Sequence, residues 1–193
     1  MNWIQIFEYL GLGAFILWSL VERGFTLTGQ QQHQGRKQAR FSFCLISLLW
    51  YGAMVFSILD VWGLQLTKFT QPLWGLRLAG LALAAAGLSL RFIARKDLGK
   101  QYSVHIETSD EHQLVTTGIY RTLRHPAYLG LLGLFLGIPL CMGSWGGLAL
   151  AAGGGIPAVI YRITVEEKSL AKWFGDQYRE YQQDSWHLLP YLW

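Results

Sequence analysis

Five apolar runs, at residues 3–21, 41–62, 72–94, 129–142 and 145–163, constrain this chain more than any single motif in it. Crossing a hydrocarbon core about 30 Å thick takes about 20 apolar residues in a helix, and all but the fourth run come close to that length or exceed it. In lipid every backbone polar group must find its partner within the protein. The expected fold class is therefore all-α integral membrane, with about five transmembrane helices. Composition agrees, since 52% of the residues are hydrophobic, 15% aromatic and only 15% charged, unlike a soluble globular domain. The fourth run is short enough for a core or re-entrant helix. Gly143 and Ser144 turn it straight into the fifth, which predicts a tight helical hairpin. No basic residue precedes the first run and Glu8 interrupts it, so it reads as a helix rather than a cleaved signal peptide. Without repeats or low-complexity tracts, residues 1–193 are expected to form one membrane-embedded domain.

Fourteen of the 16 Lys and Arg residues fall in the first loop, between Arg91 and Arg124, or from Arg162 onward. That asymmetry predicts the N-terminus outside and the third loop and C-terminus in the cytoplasm. The net charge of +4 sorts by membrane side and forms no interleaved basic and aromatic patch. Membrane lipids are the expected partners, and nucleic acid is not. Cys44 and Cys141 lie near opposite ends of the predicted bundle, where neither a disulfide nor a metal site is expected. Glu8 and Arg77 sit within about two turns of an outer boundary and mark no path through the bilayer centre.

Small residues recur in the later helices: Gly80 and Gly87 in the third, Gly130, Gly133 and Gly137 in the fourth, then Gly153, Gly154, Gly155 and Pro157 in the fifth. Such spacing lets helix backbones approach closely in lipid. The GGGxP run weakens its own helix and invites a kink, which serves either packing or a slot for a ligand.

Polar chemistry concentrates in residues 99–128, between the third and fourth runs. A helix is expected to leave the membrane as far as Gly99, with Arg95 and Lys96 at the headgroups. A loop or short strand follows over residues 101–111, then a turn at Thr117-Gly118. The RHPAY element, Arg124 to Tyr128, has a plain interfacial reading: snorkelling arginines, Pro126 in a first helical turn, and Tyr128 in an aromatic belt. It also gathers an imidazole, a guanidinium, a phenol and a helix N-terminus where an anion can bind. Arg162 and Glu166 share a helical face four residues apart, with Glu167 beside them. That spacing suits a surface ion pair or the far wall of the same site.

These residues carry a resemblance. GIYRTLRHPAYLG, followed by Arg162, Glu166, Glu167, Leu170, Phe174, Gly175, Tyr178 and Tyr181, resembles the isoprenylcysteine carboxyl methyltransferase family and its bacterial and archaeal relatives, from Gly99 onward. The resemblance implies an integral-membrane methyltransferase using S-adenosylmethionine without a Rossmann domain, its site built from residues 99–128 and 162–181. Cofactor contacts would fall on His112, Gln113, Leu114, Val115, Tyr120, His125, Pro126, Ala127, Tyr128 and Glu166. His105, Arg124 and Glu167 are possible additions, and Arg162 matches the family's substrate-side arginine.

Methyl transfer from a sulfonium needs alignment and desolvation more than acid catalysis. Arg162 would steer an ionised acceptor carboxylate as a bidentate fork, whereas an amine or thiol would need a base, His105 or His125. The expected acceptor is lipophilic and enters from the bilayer: prenylcysteine or a related isoprenoid or thioether acid, or else a phospholipid amine or small thiol. An NADPH-dependent sterol-type reductase and a non-catalytic scaffold or transporter are the competing readings. The tail from Leu170 to Tyr181 is amphipathic and either anchors on the membrane or closes over the cofactor. The final WHLLPYLW is expected to anchor at the interface.

Overall fold

The apolar runs fold as helices, and most of them extend past their apolar stretch. The structure is a computed structural model and describes residues 2–28, 37–99 and 114–189. Helix α1 spans Trp3–Thr28, α2 Lys37–Leu59, α3 Trp74–Leu98, α4 Pro126–Met142, α5 Trp145–Leu150, α6 Ile156–Phe174 and α7 Asp176–Gln183. A wide π-helical turn, Asp60–Leu64, ends α2, and a second, Ala151–Gly155, joins α5 to α6. That second turn is where the three glycines weaken the backbone ladder and Pro157 lacks a donor. The predicted loop or strand at residues 101–111 lies outside the described residues.

Four stretches are long and apolar enough to cross a membrane: Trp3–Glu22, Phe41–Leu64, Trp74–Leu98 and Trp145–Phe174. The fourth run is the exception. Helix α4, apolar and 17 residues long, is shorter than these four, and most of its residues are buried among its neighbours. It meets α1, α2, α3 and α6, and Leu134, Phe135 and Ile138 are fully buried. An enclosed helix faces protein on its sides and has no need to match the bilayer thickness.

Glycine makes that enclosure possible. A Cβ placed on Gly87 would lie 2.6 Å from the Gly130 carbonyl oxygen, and one on Gly137 would lie 2.6 Å from both the Gly80 oxygen and the Ala84 nitrogen. The backbones of α3 and α4 therefore touch, and dispersion between them replaces the hydrophobic drive that lipid cannot supply. On the opposite side Trp50 of α2 stacks edge-on against both Trp18 of α1 and Phe135 of α4, at 4.5 and 4.6 Å between ring centroids.

The hairpin forms as its sequence suggests. Gly143 takes a left-handed φ of 84°, and the Ser144 hydroxyl accepts from the Gly147 amide to cap α5. A buried polar latch closes this end of the bundle. Asp60 accepts from the Thr67 amide and hydroxyl and from the Ser144 hydroxyl at 2.6–2.7 Å. Glu8 pairs with Lys68 at 3.0 Å, and Arg77 donates to the carbonyls of Cys141 and Met142. Glu8 and Arg77 thus hold a loop and a helix end together.

The α3–α4 seam predicts an asymmetric pair of variants. Gly87→Leu should destabilise the protein in detergent by about 1–3 kcal/mol through overpacking. Gly52→Leu, where a Cβ meets nothing within 4 Å, should not. Equal thermal unfolding midpoints for the two would show that the seam is not close-packed.

Candidate active site

The polar segment reaches α4 along a path fixed from both sides. Asp97, in the last turn of α3, accepts from the Ile119 amide at 2.8 Å. Gly118, at a φ of 61°, makes the tight turn beside it, where a Cβ would collide with the Asp97 carboxylate. The 3₁₀ turn Gly118–Arg121 buries Tyr120, whose carbonyl accepts from the Tyr181 hydroxyl at 2.5 Å. Residues 122–125 then run beside residues 186–187. The Arg124 amide donates to the Trp186 carbonyl, the His125 amide to the His187 carbonyl, and the Trp186 amide to the Thr122 carbonyl, at 2.8–3.1 Å. Pro126 opens α4 in the first helical position, as expected.

Tyr128 faces inward instead of joining an aromatic belt. Its hydroxyl donates to Glu166 Oε2 at 2.6 Å and accepts from Arg162 Nε at 3.1 Å. Arg162, 3% exposed, also donates from Nη1 to the Ser42 hydroxyl at 3.0 Å. Arg162 and Glu166 thus meet on one phenol of α4. On the other flank, Arg91 donates to the Ala127 carbonyl at 2.9 Å and pairs with Glu22, which also holds Arg95 at 3.2 Å. Arg95 is therefore buried in an ion pair.

Glu167 turns away from Glu166, because consecutive residues on a helix do not share a face. Its Oε1 accepts from Arg124 Nε at 2.9 Å and from His125 Nε2 at 3.2 Å, and its Oε2 meets His187 Nε2 at 2.7 Å. Tyr178 of α7 donates to Oε1 at 3.3 Å. Arg124 in turn gives Nη1 to the carbonyls of Gln182 and Ser185 and Nη2 to His187 Nδ1 at 2.6 Å. Arg124 and Glu167 spend these groups on protein partners.

The tail closes on this cluster. Gly175 breaks the helix at a φ of 55°, and α7 folds back so that Tyr178 and Tyr181 are buried while Trp173 stays 46% exposed. Burial, reinforced by the Glu167 charge, pushes the Tyr178 phenol upward. Burial raises Tyr181 from the ordinary 10.0 to about 12. Both stay protonated donors across the neutral range. Leu188 is buried in the core and Trp186 is docked by its backbone, so residues 186–188 pack at the site end of the bundle.

The structure brings together Tyr120, Arg124, His125, Pro126, Ala127, Tyr128, Arg162, Glu166 and Glu167, with Leu114 and Val115 half-buried at the head of the segment. His105, His112 and Gln113 lie outside the described residues. Sequence reasoning missed Ser42, Glu22, Arg91 and His187. His187 alone carried a signal, as an imidazole inside an otherwise aromatic and aliphatic tail.

Known proteins agree with this architecture. A family model described as phospholipid methyltransferase matches residues 76–177, from α3 into α7. A probable protein-S-isoprenylcysteine O-methyltransferase of Oryza sativa subsp. indica is 30% identical over 168 residues, covering 82% of this chain and 84% of that protein. The protein-S-isoprenylcysteine O-methyltransferase of Rattus norvegicus is 32% identical over 139 residues, 65% of this chain and 44% of its own length. Among solved structures, a eukaryotic intramembrane Ras methyltransferase, isoprenylcysteine carboxyl methyltransferase, shares the fold at a TM-score of 0.59 and 24% identity, over 76% of this chain and 52% of that one. The chain spans about half the length of these last two proteins. Helical bundle and matches together define an integral-membrane methyltransferase. Within that class, the chain belongs to the isoprenylcysteine carboxyl methyltransferase family, which separates it from the sterol-type reductases and from scaffolds.

The Tyr181 contact can be tested alone. Tyr181→Phe removes one buried hydrogen bond and should cost about 1 kcal/mol, with faster amide exchange around Tyr120. Because the folded phenol is raised, the stability it contributes is complete below 10 and is lost as pH climbs towards about 12. The variant should flatten that alkaline limb of the unfolding profile, and an unchanged limb would assign it to other groups.

Proposed function

We propose that the chain, acting as one membrane-embedded domain, transfers a methyl group from S-adenosylmethionine to the carboxylate of a prenylcysteine or a related isoprenoid or thioether acid. The observation that carries this reading is the Arg162–Tyr128–Glu166 relay, in which a buried cationic fork and a half-buried anion, one helical turn apart, are joined by a phenol from the facing helix.

The residues present fit the cofactor's chemistry. Glu166 offers a carboxylate to an ammonium group. The Ala127 amide, in the first turn of α4, has no acceptor among the described residues and suits a carboxylate. Tyr120, Tyr128, Leu114, Val115 and Pro126 supply apolar and aromatic surface. When bound, S-adenosylmethionine supplies an electrophilic methyl group on a sulfonium. This chain's part is to align, desolvate and exclude water, and the burial of Tyr120, His125 and Arg162 does the last of these.

Arg162 would orient the acceptor through its fixed geometry, where a lysine would be a point charge. A guanidinium buried at this place favours a carboxylate over a phospholipid amine, because a cationic acceptor would be repelled and would need deprotonation first. The lipid tail of the acceptor would approach from the bilayer past the Ala151–Gly155 turn, where Gly153 is open while Gly154 and Gly155 pack on Leu49 and Phe135. The charge asymmetry of the loops supports a cytoplasmic site and an outer N-terminus.

Calorimetry with S-adenosylhomocysteine in detergent tests the cofactor half of the reading. Glu166→Ala should weaken binding about 10- to 100-fold through loss of a charge-assisted hydrogen bond, and unchanged affinity would refute the assignment. Arg162→Ala should abolish transfer to a farnesylcysteine acceptor while leaving that binding near wild type. Arg162→Lys should recover little. Wild-type turnover in either variant would remove carboxylate steering from the mechanism.

A further inference from the structure

We propose that His187 is a positioning residue of the methyl-transfer site: through Glu167 it sets the ring of His125 and the entry into α4. The inference deepens the proposed function and rests on it, but its geometry is independent of which acceptor is used. His187 lies beyond the residues 76–177 that the family model matches.

The two ring nitrogens of His187 have different jobs. Nδ1 lies 2.6 Å from Arg124 Nη2, and a guanidinium can only donate, so Nδ1 is the acceptor. The proton of the neutral ring is then on Nε2, which donates to Glu167 Oε2 at 2.7 Å. Arg124 Nε returns to Glu167 Oε1 at 2.9 Å and closes a ring of three side chains. That ring leaves Glu167 one orientation, and in that orientation Oε1 accepts from His125 Nε2 at 3.2 Å. His125 therefore carries its proton on Nε2, leaving Nδ1 as the atom that can vary. The same strap also holds the backbone, since the His187 carbonyl accepts from the His125 amide at 3.1 Å. A residue that only filled space here would need neither nitrogen.

Full-length protein in detergent, with isotope-labelled histidine for imidazole NMR, separates positioning from packing. His187→Phe keeps the ring volume and loses both polar contacts, while His187→Gln keeps a donor for Glu167. Arg179→Ala, in an exposed ion pair on α7, is the control. We expect His187→Phe to shift or broaden the His125 resonance, to lower kcat roughly tenfold, and to weaken S-adenosylhomocysteine binding by a similar factor. His187→Gln should retain most of all three. A His187→Phe protein with a wild-type His125 signal and wild-type kinetics would overturn the proposal, as would Phe performing better than Gln. If the wild type bound no S-adenosylhomocysteine, the proposed function would fall, and the His125 spectrum of the variants would still decide the positioning role. Should His187→Phe not fold, the wild-type spectrum decides: a neutral His187 protonated on Nε2 is expected, and a proton on Nδ1 overturns it.

Discussion

The backbone contact between α3 and α4 is the constraint on which the rest of this structure depends. With Gly80, Ala84 and Gly87 against Gly130, Gly133 and Gly137, two helices approach until carbonyls meet Cα atoms. A 17-residue helix can then stand enclosed among its neighbours. Its N-terminus, where Pro126, Ala127 and Tyr128 lie, is carried to one end of the seam and its C-terminus to the other. The candidate site and the Asp60 latch are the two ends of that enclosed helix. Larger residues along the seam would separate α3 from α4 and move Arg91 away from the Ala127 carbonyl it holds.

Adjacent glutamates divide the site into two networks. Glu166 belongs to the relay through Tyr128 and Arg162, and Glu167 to the cluster of Arg124, His125, His187 and Tyr178. In Glu167 and Arg124 each polar group among these contacts meets a partner from the protein, so this half behaves as framework. Such a division makes the second network costly to disturb, because one lost partner leaves a charge buried beside others.

Much of this was legible in the sequence, and what was not has physical causes. Helix positions followed from apolar length, and the Gly143-Ser144 hairpin from turn chemistry. The RHPAY and Arg162/Glu166 pairing was visible because both elements are polar and sit at helix ends. The end of α3 at Gly99 was legible from its glycine, whereas the pairing of Glu22 with Arg91 and Arg95 was not, because these partners lie 69 and 73 positions apart. Only its short length hinted that the fourth run would be enclosed, because hydropathy does not distinguish a lipid neighbour from a protein neighbour. His187 was hidden for a different reason: its role depends on a parallel pairing with residues more than 60 positions away, which no local pattern encodes.

That pairing bears on how the chain is made. Each candidate membrane span among the described residues precedes residues 186–187 in the sequence, so each is synthesised before Thr122, Arg124 and His125 receive their last backbone partners. The last backbone pairing at the site is therefore available only after the helices it joins have been made. During the interval Arg124 and Glu167 lack His187, and the nascent bundle carries an open polar seam at one end. Quality control acting on that interval would discriminate between chains that have inserted and chains that have also matured.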